Sequence, residues 1–320
     1  MKEYNWAILG TGSIANEMAN AFKMQNRKIY SVGNRTYTKA IDFAKKYNIE
    51  KVYKDYNEMF NDPNVDIIYI ATLHNTHYEF AKKAIENKKN VLIEKAITLN
   101  SKELNTLNAL AKKNKVIIAE AMTIYHMPLY KKLNKIIEDG LLGNVNLITM
   151  NFGSFKEYDM NNRFFNKDFA GGALLDIGVY AISFVRYFFT SCPNKLLTTV
   201  KFAPTGVDEQ SSIIMENKEG QMATIMLSLH SKQPKRAMIS CEKGYIEIME
   251  YPRAYQAKIT YADTNKSQII TSGKTSKALA YEIEDMEKSI NNKNNNMNML
   301  YTKDVMDIMT KLRKKWGLIY

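Results

Sequence analysis

The chain has 320 residues, 45% hydrophobic and 24% charged, with a formal net charge of +12 and two cysteines. That length buries one large core or two ordinary ones, and two domains is the better expectation. Cys192 and Cys241 leave no C-x-x-C pair, zinc ligand set or disulfide framework, so no metal is expected and a reducing cytoplasm is. The lysines fall as pairs along helix-like segments (Lys45-Lys46, Lys82-Lys83, Lys112-Lys113, Lys131-Lys132), the pattern of solvated faces rather than a nucleic-acid site. No signal-peptide pattern precedes the first strand, and the most apolar long stretch, Ala173–Phe189, is interrupted by Asp176 and Arg186, so no membrane partner is expected.

In chain order, Tyr4–Leu9 reads as a strand, Gly10-Thr11-Gly12-Ser13-Ile14-Ala15 as a glycine turn and Asn16–Phe22 as a helix. The pattern is G-x-G-x-x-A between strand and helix. Gly10 permits the bend, Gly12 lets a pyrophosphate approach, Ala15 lets helix and strand pack, and the helix N-terminus offers N–H groups to an anion. Strand-like Ile29–Gly33, Val52–Tyr53, Asp66–Thr72, Asn90–Glu94 and Val116–Glu120 then alternate with helix-like Thr38–Tyr47, Tyr56–Phe60, His77–Glu86 and Ser101–Lys113. Alternation of this kind predicts βαβ units and a doubly wound parallel sheet, a dinucleotide-binding domain over residues 1–122. Ligands in that fold lie beyond the carboxyl ends of the strands. At the second strand the stretch is Gly33-Asn34-Arg35-Thr36, with no carboxylate before Asp42 to hold a ribose 2′-hydroxyl. Arg35 suits a 2′-phosphate, with Asn34 and Thr36 adding neutral hydrogen bonds, so NADP is favoured and NAD is the alternative.

Residues 123–320 read as a second α/β domain. It holds a helix Pro128–Asp139, a strand Val145–Phe155, a loop Asn161–Gly172 and a long helix Ala173–Phe189. Seven runs with strand character follow between Leu197 and Ile270, then helices Lys277–Asn291 and Thr302–Lys315. A large, mostly antiparallel open sheet is expected, and its open face suggests a homodimer or homotetramer.

Lys95 follows the apolar strand Asn90–Glu94, where a cofactor should lie. Asp176 and Tyr180 are four residues apart in one helix and share a face. That face is otherwise apolar, so the carboxylate needs a partner, which a lysine would supply.

Over nearly its whole length the sequence resembles the glucose-fructose oxidoreductase/inositol dehydrogenase (Gfo/Idh/MocA) family. The resemblance is carried by G-T-G-x-I-A at Gly10–Ala15, Asn34-Arg35-Thr36, Ala71–His77, V-L-x-E-K at Val91–Lys95 and Gly171–Tyr180. The closing Ile308–Tyr320, with Arg313, also fits. Tyr180 with His74 is most similar to the dihydrodiol dehydrogenase branch. The resemblance implies reversible hydride transfer between nicotinamide and a secondary alcohol or ketone of a small sugar, polyol or diol. Lys95 would hydrogen-bond the reacting oxygen, Tyr180 would give or take the proton, and Asp176 would orient Lys95 or the substrate. His77, Glu94 and the Thr72-Leu73-His74 backbone would face the nicotinamide ribose, and Arg163 and Phe164 would line the substrate pocket. The family's E-K-P reads Glu94-Lys95-Ala96 here, which leaves the lysine's backbone freer. Leu73, His74, Thr123 and Tyr125 are further departures, and they bear on the substrate. A non-catalytic NADP-binding sensor is the alternative from another class.

Overall fold

The structure, a computed structural model, describes residues 3–320. The chain falls into two compact units, Met1–Ala121 with Leu279–Met299, and Met122–Ala278 with Leu300–Tyr320.

In the first unit, β1 (Trp6–Leu9), α1 (Ser13–Met24), β2 (Ser31–Gly33), α2 (Tyr37–Tyr47) and β3 (Lys51–Tyr53) form one half. The other half is α3 (Tyr56–Asn61), β4 (Ile67–Ile70), α4 (His77–Glu86), β5 (Asn90–Glu94), α5 (Ser101–Asn114) and β6 (Ile118–Ala121). The six strands are parallel in the order β3-β2-β1-β4-β5-β6, the doubly wound arrangement whose crevice opens where β1 meets β4. Strands β1, β4 and β6 are buried at every residue and β5 at all but Asn90, because helices cover both faces.

A single boundary near residue 122 leaves out the return of residues 279–299. Leu279, Ile283, Met286 and Met297 join the core of Trp6, Met18 and Phe22. Trp6 Nε1 donates to Glu287 at 2.8 Å and the Tyr4 hydroxyl to Asn291 at 2.7 Å.

The second unit begins with α6 (Pro128–Glu138) and β7 (Val145–Gly153), and later carries a π turn (Leu174–Gly178) that runs into α7 (Val179–Phe188). Seven strands follow: β8 (Lys195–Phe202), β9 (Asp208–Glu216), β10 (Met222–Ser228), β11 (Gln233–Cys241), β12 (Gly244–Met249), β13 (Gln256–Tyr261) and β14 (Ser267–Thr271). Helices α8 (Ala278–Asn291) and α9 (Met299–Trp316) close the chain. The eight-stranded sheet has the order β14-β13-β12-β11-β7-β10-β9-β8; only β7 and β10 pair in parallel. The stretch Lys167–Phe188 is the one helical segment among the described residues apolar and long enough to cross a membrane. Its apolar window is 78% buried within the protein, as in a core helix. The other sheet face leaves Leu197 beside Ile214, and Met222, Met226, Met249 and Ile269, exposed.

Candidate active site

Gly10 and Gly12 do different work. Gly10 has φ +106°, and a Cβ there would stand 2.3 Å from the Ala71 carbonyl oxygen. The turn is drawn against the end of β4, with Gly10 N–H donating to Gly33 O at 2.8 Å. Gly12 has an ordinary φ of −71° and nothing within 4 Å of where a Cβ would stand. No side chain caps α1 and no acid lies in its first turn. Asn16 braces the turn from below, its amide donating to Gly12 O at 2.9 Å. An open cradle before an uncapped helix start fits a dinucleotide pyrophosphate, with Thr11, Gly12, Ser13 and Ile14 around it.

At the end of β2 the Asn34 amide donates to Thr36 O at 3.0 Å, closing the loop. Arg35 is exposed and forms no ion pair among the described residues, so its guanidinium is available to a phosphate. Its charge reaches Tyr56, whose phenol is pushed up by burial and partly restored by Arg35.

The ends of β4, β5 and β6 are laced together around Lys95. His74 Nε2 lies 3.1 Å from Lys95 O, His77 Nδ1 lies 3.0 Å from Ala96 O, and Ile97 N–H donates to the Glu120 carboxylate at 3.1 Å. His77 Nε2 faces Thr72 O at 3.2 Å. Lys95 is half-buried and the peptide after it is cis. Two expectations are corrected here. The backbone after Lys95 is not freed by Ala96, because two histidines and a glutamate hold three consecutive residues. His77 does not face a ribose: it is fully buried, with both ring nitrogens turned to backbone carbonyls. Glu94 is buried too, and accepts a hydrogen bond from the Tyr69 hydroxyl. Tyr69 and Glu120 sit inside strands that read as plain apolar runs, so only their polar character signalled a role.

In the second unit, Gly171 and Gly172 lead into the π turn. Gly172 N–H donates to Phe164 O at 2.9 Å, and Gly172 has φ +112° with a Cβ position only 2.2 Å from Asp208. Asp208 accepts the Leu174 N–H at 2.6 Å, capping the helical segment from strand β9, and the Tyr320 hydroxyl donates to Gly171 O. Neither cap was legible, since each lies over thirty residues from the turn it holds. The π turn also alters the expected helix. An α-helix carries residues four apart about 40° past a full turn; the wider i→i+5 spacing brings Asp176 and Tyr180 nearer to direct alignment. Asp176 is buried and Tyr180 half-buried, with Tyr180 packed 6.2 Å from the Phe152 ring. Arg163 meets Asp176 at 3.7 Å and lies 4.4 Å from the Phe164 ring, so three of the named substrate-side residues do come together.

Burial gives two groups opposite pH trends. The His77 imidazole is pushed down to about 4 and the Asp208 carboxyl up to about 7. An unfolded His77 takes up its proton near pH 6.5, so its contribution to stability is present above that and lost as pH falls towards 4. Asp208 keeps its proton only when folded, so its contribution is present below pH 3.8 and lost as pH rises through 7. Calorimetric midpoints between pH 4 and 7 should therefore rise more steeply with pH in Asp208→Asn than in wild type, and less steeply in His77→Gln. Identical slopes in all three proteins would contradict both placements.

Residues 4–122 match the oxidoreductase family with an NAD-binding Rossmann fold, and residues 130–247 match the GFO/IDH/MocA C-terminal domain. The chain belongs to the Gfo/Idh/MocA family. It is an NAD(P)-dependent oxidoreductase of that family, with the Rossmann domain holding the dinucleotide. Among curated relatives it is 33% identical to the trans-1,2-dihydrobenzene-1,2-diol dehydrogenase of Xenopus laevis over 250 residues, 77% of this chain and 75% of that one. It is 30% identical to the enzyme of that name from Mus musculus over 251 residues, 77% and 74% of the two chains. Two solved structures share the fold at 17% identity. One is levoglucosan dehydrogenase with NADH, TM-score 0.90, covering 99% of this chain and 97% of that one. The other is KijD10, a 3-ketoreductase from Actinomadura kijaniata with NADP and TDP-benzene, TM-score 0.88 and 98% of each chain.

Proposed function

We propose that the protein reversibly oxidises a secondary alcohol of a small sugar, polyol or diol, using NADP in preference to NAD. The observation that carries the reading is Lys95, fixed through its backbone at the carboxyl end of β5 on the sheet edge that bears the open Gly12 cradle. A nicotinamide dinucleotide bound there supplies the hydride acceptor or donor. Lys95 donates a hydrogen bond to the substrate oxygen and stabilises negative charge on it. Tyr180 takes the hydroxyl proton, a task for which a free phenol near pKa 10 needs a cation, and the Lys95 ammonium favours the phenolate. Asp176 orients the substrate hydroxyl, and Arg163 and Phe164 contact the rest of the molecule. The test is a panel of sugars, inositols and vicinal diols followed at the NADPH absorbance; binding of NADPH with no turnover of any member would favour a sensor.

For the cofactor, the backbone of Thr72, Leu73 and His74 borders the nicotinamide half, and Arg35 with Asn34 and Thr36 holds the 2′-phosphate. A charged hydrogen-bond pair contributes about 1.5–3 kcal/mol, so Arg35→Ala should weaken NADPH roughly 10- to 100-fold and leave NADH nearly unchanged. Equal affinity of the wild-type protein for both dinucleotides would overturn the preference.

The exposed sheet face, with Leu197, Ile214 and Met226, is the proposed contact of a homodimer or homotetramer. Sedimentation velocity should give an assembly for wild type and a smaller species for Ile214→Lys/Met226→Lys; a wild-type monomer would refute it. Two free thiols, Cys192 and Cys241, suit a cytoplasmic site, and a tagged chain found outside the cytoplasm would refute that assignment.

A further inference from the structure

Residues 154–172 of the second unit present two cations on one aromatic ring. The Lys156 ammonium lies 4.6 Å from the centroid of Phe164, and the Arg163 guanidinium 4.4 Å. The backbone beneath them is fixed. Ser154 N–H donates to Ser228 O at 2.9 Å and Lys156 N–H to Leu229 O at 2.7 Å, while His230 Nδ1 stands 3.0 Å from Lys156 O. Phe164 N–H donates to Asn162 Oδ1 at 2.9 Å, and Phe164 O accepts the Gly172 N–H at 2.9 Å.

Cation–π contacts at partly exposed positions seat the side chains but do not neutralise them. Lys156 forms no ion pair among the described residues. Arg163 is half-exposed and reaches one carboxylate, Asp176, at 3.7 Å, too long for a hydrogen bond. Two positive groups gathered on one ring repel each other, and an anion between or beside them relieves that. A guanidinium fork and an ammonium on fixed stems also suit the oxygens of a carboxylate or a phosphate. What separates this pair from a single surface contact such as Lys46 on Tyr47 is that two cations share one ring and one of them reaches a buried aspartate.

We propose that Lys156 and Arg163, seated on Phe164, bind an anionic group of the hydroxy substrate, a carboxylate or a phosphate monoester. The inference rests on the redox reading for the rest of the substrate and names its chemical class. It is tested with NADP+ and matched compounds: glucose, glucuronate and glucose 6-phosphate, and inositol with inositol 1-phosphate. The expected result is at least a tenfold higher kcat/KM for an anionic member than for its neutral partner, carried by KM and shrinking as salt is added. The better arm, uronate or phosphate, identifies the group. Lys156→Gln and Arg163→Gln should each reduce that ratio several-fold, and Lys156→Arg should restore most of it. A ratio near one in wild type, or one unchanged in the double glutamine variant, would overturn the proposal.

If no compound is turned over, the redox reading fails on this panel and the anion site is judged by calorimetric titration of glucuronate and glucose 6-phosphate into the NADP-loaded protein. Binding that weakens at least tenfold in the double variant supports the site. No binding to wild type, or equal binding to both proteins, removes it.

Discussion

Lys95→Met is expected to lower kcat by about 10²- to 10³-fold, the cost of removing one preorganised donor to a developing oxyanion. Tyr180→Phe is expected to cost about 10²- to 10⁴-fold, the range for a lost proton donor or acceptor. Both variants should still bind NADPH in a fluorescence titration. Methionine keeps most of the lysine's unbranched stem and phenylalanine keeps the ring beside Phe152, so neither change opens a large cavity. The double variant separates two ways of working. If Lys95 acts chiefly by favouring the Tyr180 phenolate, losing both costs little more than losing Tyr180 alone. If each stabilises the transition state independently, the losses multiply. Near-normal rates in both single variants, on a substrate the wild type uses, would remove these residues from the chemistry.

The parts of the fold that could be read in advance are those where one local rule decides. Trp6–Leu9, the glycine turn and α1 form a strand, bend and helix within nineteen residues, and the run Ile67–Ile70 is apolar because helices cover both its faces. The return of Leu279–Met299 to the first unit could not be read that way. An amphipathic helix shows that it has an apolar face, not which core that face joins. Among candidate site residues, Asp176 was legible as a charge on an otherwise apolar helix face and Lys95 as a lysine at a strand end where a cofactor should lie, whereas Arg163, in a polar loop, was legible only through the family resemblance. His77 was legible as a residue but not in its role, because a histidine at a helix start reads the same whether it faces a ligand or a carbonyl. Asp208 carried no signal at all: its meaning is a hydrogen bond to Leu174, thirty-four positions away.

Gly10 and Gly12 should fail in opposite ways when given a methyl group, and the contrast separates folding from cofactor binding. Gly10→Ala puts a Cβ 2.3 Å from Ala71 O in a backbone with φ +106°. Such a conformation alone costs an L-residue about 1–3 kcal/mol, and relieving the contact means parting the turn from β4. A loss of about 3 kcal/mol or more is expected in denaturant unfolding, with dinucleotide binding lost along with the fold. Gly12→Ala meets nothing within 4 Å and keeps an ordinary φ, so its stability should match wild type within about 0.5 kcal/mol, or rise slightly as the unfolded chain loses freedom. Its methyl group instead enters the space above the uncapped start of α1. NADPH affinity should fall there, and fall further, about 100-fold, in Gly12→Val, as the larger side chain displaces the pyrophosphate from the helix N–H groups. A Gly12→Val protein that binds NADPH as tightly as wild type would mean that this turn does not cradle a pyrophosphate. Lys95, at the same edge of the sheet, would then have no nicotinamide to serve.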